Sequence, residues 1–442
     1  MNFASFPVIC YLLPAFALLT AFSGEKWKRD ALAFGGLFYV WVIGGCTALL
    51  LMLASAGCAW LQIRLSPRKE GGHHRRAELW LYAGIAIQAV LLLICRMQIG
   101  GMQMLPLLIC ALQSVECMSE HANNRLKIPP LHAFLCYSFD LTRLPCGPVL
   151  SFPEAEKIRE NRAVTAEKIG QGASLCIRGL FQLICLSLPL AQLHGQIASG
   201  GSVRTVLDAL ALMAVFYLML YYRLKGTAQI GQGLAKMLGY DLPDSFDSPV
   251  TAGSVRQFWA RFLVPMHDWV KRVLLPPQSA QDAAGFFART ALLFGGIGLL
   301  FGRGGCGLLW GAGTALLLTF EKYRKRRILP RSFPAAGRRL LTAVVILLGM
   351  GMLGSRSIFD GVACYGALLG IDGIPFSDQT GYLLRTNWFV IAVSAAGLFP
   401  LKQLVPEGKA RVRIIRSACV YAAEAVMLLL AYSELLSRYL RP

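Results

Sequence analysis

The 442-residue chain is 55% hydrophobic, carries 44 Lys and Arg against 24 Asp and Glu, and has a formal net charge of +20. Its mean hydropathy of +0.53 is too apolar for a soluble domain of this length. The charge does not point to nucleic acid, because it sits in short loops between apolar stretches, with no aromatic-interleaved basic groove.

Taken in chain order, the apolar stretches are 4–22, 31–63, 78–97, 99–117, 131–150, 171–196, 203–222, 283–303, 305–320, 338–356, 387–404 and 412–436. Each approaches the ~20 residues a membrane helix needs, so the fold expected is all-α and polytopic, with about 10–12 crossings. The first stretch lacks a basic leader and a small-residue exit, so it reads as a span rather than a cleaved signal.

The basic loops set the topology. Lys26, Lys28 and Arg29 lie before 31–63, and Arg64, Arg68, Lys69, Arg75 and Arg76 lie after it. Both loops are expected on the cytoplasmic side, as is the cluster Lys322, Arg324 to Arg327. The stretch 31–63 must then cross an even number of times, with Gly44-Gly45 as the bend. The N-terminus is expected outside, in a cytoplasmic membrane.

The 13 cysteines are scattered singly in apolar segments. With no CxxC and no Cys/His ligand spacing, they read as packing residues, and no metal or disulfide framework is expected.

Two stretches break the pattern. Residues 155–170 read as an amphipathic surface helix between an N-terminal group of helices (1–154) and a core (171–322). Residues 223–282 are too polar to span and too aromatic for a solvated loop. They read as re-entrant helices, tolerated at membrane depth only where protein or a cavity satisfies the backbone. Within them Ser254 can cap a helix carrying Phe258, Trp259, Arg261, Phe262 and Trp269, and Pro265 should interrupt it. Residues 323–442 supply C-terminal helices, and the whole is expected to form a single membrane domain.

Six motifs, in order, resemble the membrane-bound O-acyltransferase family, in its alginate O-acetylase and D-alanyl-lipoteichoic-acid transfer branch. They are MNFASFPVICYLLP with FYVW at 38–41, LPLLICALQSVECMSE at 105–120, Gly147-Pro148 in LPCGPVLSFPE, and Arg178-Gly179-Leu180. Then come Leu238-Gly239, Leu242-Pro243, Phe246 and Pro249 leading into the Trp259–Trp269 helix, and Trp310-Gly311 with LLLTFEK at 316–322. The resemblance implies a funnel through the membrane, lined here by Trp259, Arg261, Trp269, Phe301 and Trp310. It implies no bound cofactor but an acyl-thioester donor, on an acyl carrier protein or of the CoA type. The implied acceptor is an envelope polymer, and an extracytoplasmic lipase-fold partner and membrane lipids complete the set. The implied chemistry is removal of an acceptor proton by a histidine in a water-poor tunnel.

The chain departs from that family at the chemistry. Where the family has its active histidine, three residues after the Trp-Gly pair, stands Thr314. The second family histidine position is Phe301. The element aligned with Arg223 to Gln229 lacks both family aspartates, and the Trp/Arg helix has Ala260, Phe262 and Leu263. A threonine hydroxyl holds its proton too tightly to be a base at pH 7. Of the six histidines, His73 and His74 lie in a basic loop, His121 and His132 flank a turn, and His194 lies near a helix end. His267, beside Asp268 and after the Pro265 break, is the candidate substitute, although neighbours on a helix do not face each other by spacing alone. Two functions follow: a non-catalytic scaffold that binds donor or partner, or an acyltransferase with a rearranged site. A transporter would show paired intramembrane charges, and few are evident. The glycines at 295, 296, 302, 304 and 305 read as helix-packing positions, and Glu321 as a partner for the basic residues that follow it.

Overall fold

The computed structural model describes residues 27–67, 74–98, 104–199, 205–273, 282–302, 305–323, 334–371, 377–399 and 410–440. The expected first span, 4–22, lies outside them. In chain order the helices are α1 (Lys28–Leu65), α2 (His74–Gln98), α3 (Leu105–Ala122), α4 (Leu131–Ser138), α5 (Phe152–Glu160), α6 (Ala166–Ser199), α7 (Val206–Met237), α8 (Val255–Arg261) and α9 (Val264–Val273). They continue with α10 (Ala283–Phe301), α11 (Cys306–Tyr323), α12 (Ala335–Gly354), α13 (Ile358–Leu368), α14 (Asp378–Thr386), α15 (Trp388–Ala396) and α16 (Ala410–Leu440). Among the described residues the only β pairing is an isolated bridge between Phe246 and Phe262. Among the described residues six helices are long and apolar enough to cross a membrane, and the chain is a multi-pass membrane protein of all-α class.

α1 is a hairpin. Its helical path breaks at Gly45, at φ 70° and ψ −169°. Asp30 on the first arm bonds His132, while Trp60 on the second arm donates to the Pro129 carbonyl at 3.1 Å. A straight helix would put Asp30 and Trp60 ~45 Å apart, too far to reach two residues three positions apart. The arms therefore fold back at Gly44-Gly45, as the basic loops on either side require.

Several boundaries differ from the sequence reading, each for a local reason. The stretch 131–150 does not span. α4 stops at Ser138, because the Asp140 carboxylate accepts from the Thr142 amide and hydroxyl, and the Arg143 guanidinium donates to the Tyr137 carbonyl. The turn ends in a cis Gly147-Pro148 bond. The surface helix is shorter than 155–170. Ser151 and Glu154 form a capping box that starts α5, and Thr165 caps the start of α6, so residues 161–165 separate two helices. The stretch 387–404 is helical only over Trp388–Ala396 within the described residues.

The largest shift concerns 223–282. Its first part is not re-entrant but the continuation of α7, a 32-residue helix. Gly239, at φ +92°, ends α7: the Tyr240 amide reaches the Ala235 carbonyl and the Gly239 amide the Lys236 carbonyl. That pairing is the Schellman stop, which needs a residue free to adopt positive φ.

Close glycine contacts align the central helices. A Cβ on Gly172 would lie 2.6 Å from the Gly233 carbonyl, and one on Gly179 would lie 2.7 Å from that of Gly226, so α6 and α7 pack backbone to backbone. Buried Glu424 of α16 takes Arg178 of α6 at 2.6 Å and also bonds Ser174. The final helix is thereby pinned to that pair.

Candidate functional site

A cavity of about 300 Å³ opens where α3, α7, α8, α9, α10, α11 and α12 converge. The chain reaches it by a broken path. After α7, the Gln232 amide holds the Pro243 carbonyl at 2.7 Å. Ser254 caps α8 by accepting the Gln257 amide, as its position predicts. The helical path then breaks at Phe262 and Leu263, the latter at φ 58°, and α9 restarts with Pro265 in its first turn. The break is fixed from outside by Asp247 N–H to Arg261 C=O and Val264 N–H to Ser245 C=O.

Aromatic packing forms the wall. The Trp259 ring meets Phe294 at 5.0 Å and Trp310 at 5.8 Å, and Phe294 meets Trp310 at 5.9 Å. Such edge-on arrangements add to the area term of burial. The Trp259 indole nitrogen is buried without a protein partner. That leaves one hydrogen-bond donor in the wall with capacity to spare.

α11 is set by two contacts. Gly298 and Gly307 meet so closely that a Cβ on either would fall 1.9 Å from the other's carbonyl oxygen, and Gly311 lies against the backbone of Phe294 and Gly295. At its other end Glu321 accepts the backbone amides of Val255 at 3.0 Å and Arg256 at 2.9 Å. Glu321 was expected to pair with the basic residues after it. Arg324 to Arg327 lie outside the described residues; within them the Glu321 carboxylate closes the N-terminus of α8, where two orphan amides and the helix dipole attract an anion.

Of the residues anticipated from the sequence, Trp259, Phe301, Trp310 and His267 line the cavity. Arg261 and Trp269, expected at the funnel, lie outside its lining. Arg261 donates to the Thr251 hydroxyl at 2.5 Å and lies 3.8 Å from Asp247. Trp269 is buried and donates to the Leu112 carbonyl at 3.0 Å, fastening α9 to α3. Thr314 is buried on α11, one turn from both Trp310 and Leu318, which line the cavity, but is not itself among the lining residues.

His267 is the one described histidine in the lining. Its Nδ1 lies 3.5 Å from Asp268 Oδ1, at the outer edge of a hydrogen bond, so the neighbours that helical spacing kept apart do approach. Burial and the Lys271 ammonium hold the imidazole below the usual histidine range, against the opposing pull of Asp268. Arg256, Lys271 and Lys322 also line the cavity, and Arg256 adds to the push on His267. Lys322 sits over the Phe286 ring at 3.8 Å. The space thus has an apolar, aromatic body, a cationic end and one neutral imidazole.

His121, His132 and His194 have structural partners, while His73 and the His74 side chain lie outside what the structure describes. His121 is buried and bonds the Leu126 and Ser66 carbonyls, and His194 packs on Phe216. His132 does not stand alone: Asp30 and Cys136 meet it. The sequence reading missed this group. The spacing of His132 and Cys136, four apart and so on one face of a helix, was its only local signal.

No family model matches the chain. Among curated proteins it is similar to a probable alginate O-acetylase of Pseudomonas fluorescens, 22% identical over 421 residues, which takes in 91% of this chain and 83% of that one. It is also similar to the probable alginate O-acetylases of Pseudomonas syringae pv. tomato and Pseudomonas aeruginosa. Those are 24% identical over 267 residues and 22% over 299, covering 51% and 56% of their lengths. The matches to these two span little more than half of each. The likeness bears out the resemblance to the membrane-bound O-acyltransferase family that the six motifs carry.

Proposed function

We propose that this chain serves the O-acylation of a cell-envelope polymer as a scaffold that holds an acyl-thioester donor, without the base the family places on α11. The observation that carries the reading is the cavity itself, apolar along Trp259, Phe294 and Trp310 and cationic at Arg256, Lys271 and Lys322. An acyl group and the uncharged arm of its thioester fit the body, and a phosphate on that arm fits the cationic end. The donor is of the acyl-carrier or CoA type, the acyl group acetyl or D-alanyl. The setting is the cytoplasmic membrane with the N-terminus outside, and an extracytoplasmic lipase-fold partner completes the transfer. At Thr314 the hydroxyl offers no base, and losing a general base costs about 10²–10⁴-fold.

One observation favours a second reading, an active enzyme with a rearranged site: His267 lines the same cavity with Asp268 beside its Nδ1. There His267 Nε2 would take the acceptor hydroxyl's proton. The hydroxyl oxygen would attack the thioester carbon, the C–S bond would break, and the departing thiolate would be protonated.

Acyl transfer in proteoliposomes separates the two, with labelled acetyl- and D-alanyl-carrier donors and the variants Thr314→His and His267→Ala. The scaffold reading expects donor binding without turnover in the wild type and a gain of turnover in Thr314→His. Wild-type turnover abolished by His267→Ala overturns it in favour of the second reading. Failure to bind either donor overturns both.

A further inference from the structure

Away from the cavity, Asp30, His132 and Cys136 converge on one point. Asp30 lies in the first turn of α1; His132 and Cys136 lie one turn apart on α4. His132 Nε2 is 2.5 Å from Asp30 Oδ1, Cys136 Sγ is 3.5 Å from the same oxygen, and Sγ is 3.7 Å from the same ring nitrogen. A Cys-His-Asp relay would use both imidazole nitrogens, one toward the sulfur and one toward the carboxylate. Here a single nitrogen faces both, which is the arrangement of ligands around a common centre.

We propose that Asp30, His132 and Cys136 form a binding site for one divalent transition-metal ion of the zinc kind, with water in the fourth position. With Zn–S near 2.3 Å and Zn–N and Zn–O near 2.0 Å, a tetrahedral ion sets its S–N and S–O edges at about 3.5 Å and its N–O edge at about 3.3 Å. Two of the three edges are already within about 0.2 Å of those values. The third opens by ~0.8 Å, a small rotation of two side chains that are 66% and 37% exposed. The thiol and imidazole select a zinc-like ion over Mg²⁺ or Ca²⁺, which take oxygen ligands. Cys136 is buried, while the exposed His132 and Asp30 leave the open side toward solvent.

Charged groups flank the site. Arg29 and Arg159 both pair with Glu156, so two guanidiniums share one carboxylate beside the site. Burial and the Asp30 carboxylate push the Cys136 thiol up to about 11 against the pull of Arg29, so a bound ion would have to displace the thiol proton. The ion would tie the first arm of α1 to α4. Pro129, just before α4, already holds the second arm through Trp60, so the metal would close the base of the hairpin.

The test is Co²⁺ titration of the full chain, purified in detergent and stripped with a chelator, followed by Zn²⁺ competition. One equivalent of Co²⁺ is expected, with a thiolate charge-transfer band that Zn²⁺ abolishes and that Cys136→Ser lacks. Cys58→Ser, at an exposed cysteine elsewhere, should keep the band. His132→Ala and Asp30→Asn should each weaken binding at least tenfold. His132 is exposed, so its loss leaves the fold intact and its affinity is interpretable even where Cys136→Ser folds poorly. No band in the wild type, a band that survives in Cys136→Ser, or unchanged affinity in His132→Ala would each overturn the proposal.

Discussion

Glu321 shows how much one side chain can fix. It ends the leucine run of α11, and its two oxygens take the first two amides of α8. One carboxylate thus joins the helix bearing Trp310 to the helix bearing Trp259. Losing a helix cap costs about 0.5–2 kcal/mol, and the dipole contribution adds to it. Glu321→Ala should therefore lower the thermal midpoint in detergent by a few degrees, and Glu321→Gln, which keeps an acceptor, by less. An unchanged midpoint in both would show that the cap does not hold the two helices together. His267 carries a second expectation at this scale. Burial and Lys271 both disfavour its protonated form, so it loses its proton below the ordinary histidine range. Its neutral form should hold from neutral pH down past that range, and Lys271→Ala should shift the midpoint upward. The pH profile of histidine carbethoxylation at this residue reads that midpoint directly. A downward shift in the variant would mean that the Lys271 ammonium does not act on the imidazole.

At the scale of elements, the cavity depends on how closely α10 and α11 approach. A Cβ at Gly307 would meet the Gly298 carbonyl oxygen at 1.9 Å, and that neighbour is backbone, which cannot swing aside. Gly307→Ala should force the helices apart and cost about 1–3 kcal/mol or more, as overpacking does. Gly296 faces open space, so Gly296→Ala should be neutral or slightly stabilising. Comparing their midpoints tests the interface, and equal losses in both would count against it. Of the glycines read from the sequence as packing positions, Gly302 lies against Gly307 but Gly296 faces open space, and the Gly298–Gly307 contact was not read; the Ser254 cap and the break before Pro265 were legible, because each rests on neighbours a few residues away. Other features depend on residues far apart in the chain and so were not. The Glu321 partner lies more than 60 residues upstream, and Asp30 reaches His132 across 102. The end of α4 was misread because the Asp140 and Arg143 contacts that stop it outweigh the apolar run around them. Of the aromatic motif residues, Trp259, Phe301 and Trp310 line the cavity, while Arg261 and Trp269, from the same segment as Trp259, turn to Thr251 and Leu112.

At the scale of the molecule, charge in loops and packing between helices give the same answer about α1 by independent routes. The basic residues before and after it require an even number of crossings. The contacts of Asp30 and Trp60 with one short segment require the arms to fold back. Arms of about 26 and 30 Å at 1.5 Å per residue are just long enough to reach the far side of a hydrocarbon core. The ends of α1 should therefore lie on one face of the membrane and its bend on the other. Cys46 sits at that bend and is exposed. In a background with the remaining cysteines replaced, an impermeant maleimide added to sealed, right-side-out vesicles should reach Cys46 from outside. It should reach Trp27→Cys and Ser66→Cys only after the vesicles are opened. Labelling of all three from the same side would remove the hairpin crossing, and with it the agreement between the charge pattern and the packing. Labelling of Trp27→Cys and Ser66→Cys from opposite sides would make α1 a single bent span and would reverse the side assigned to every loop after it.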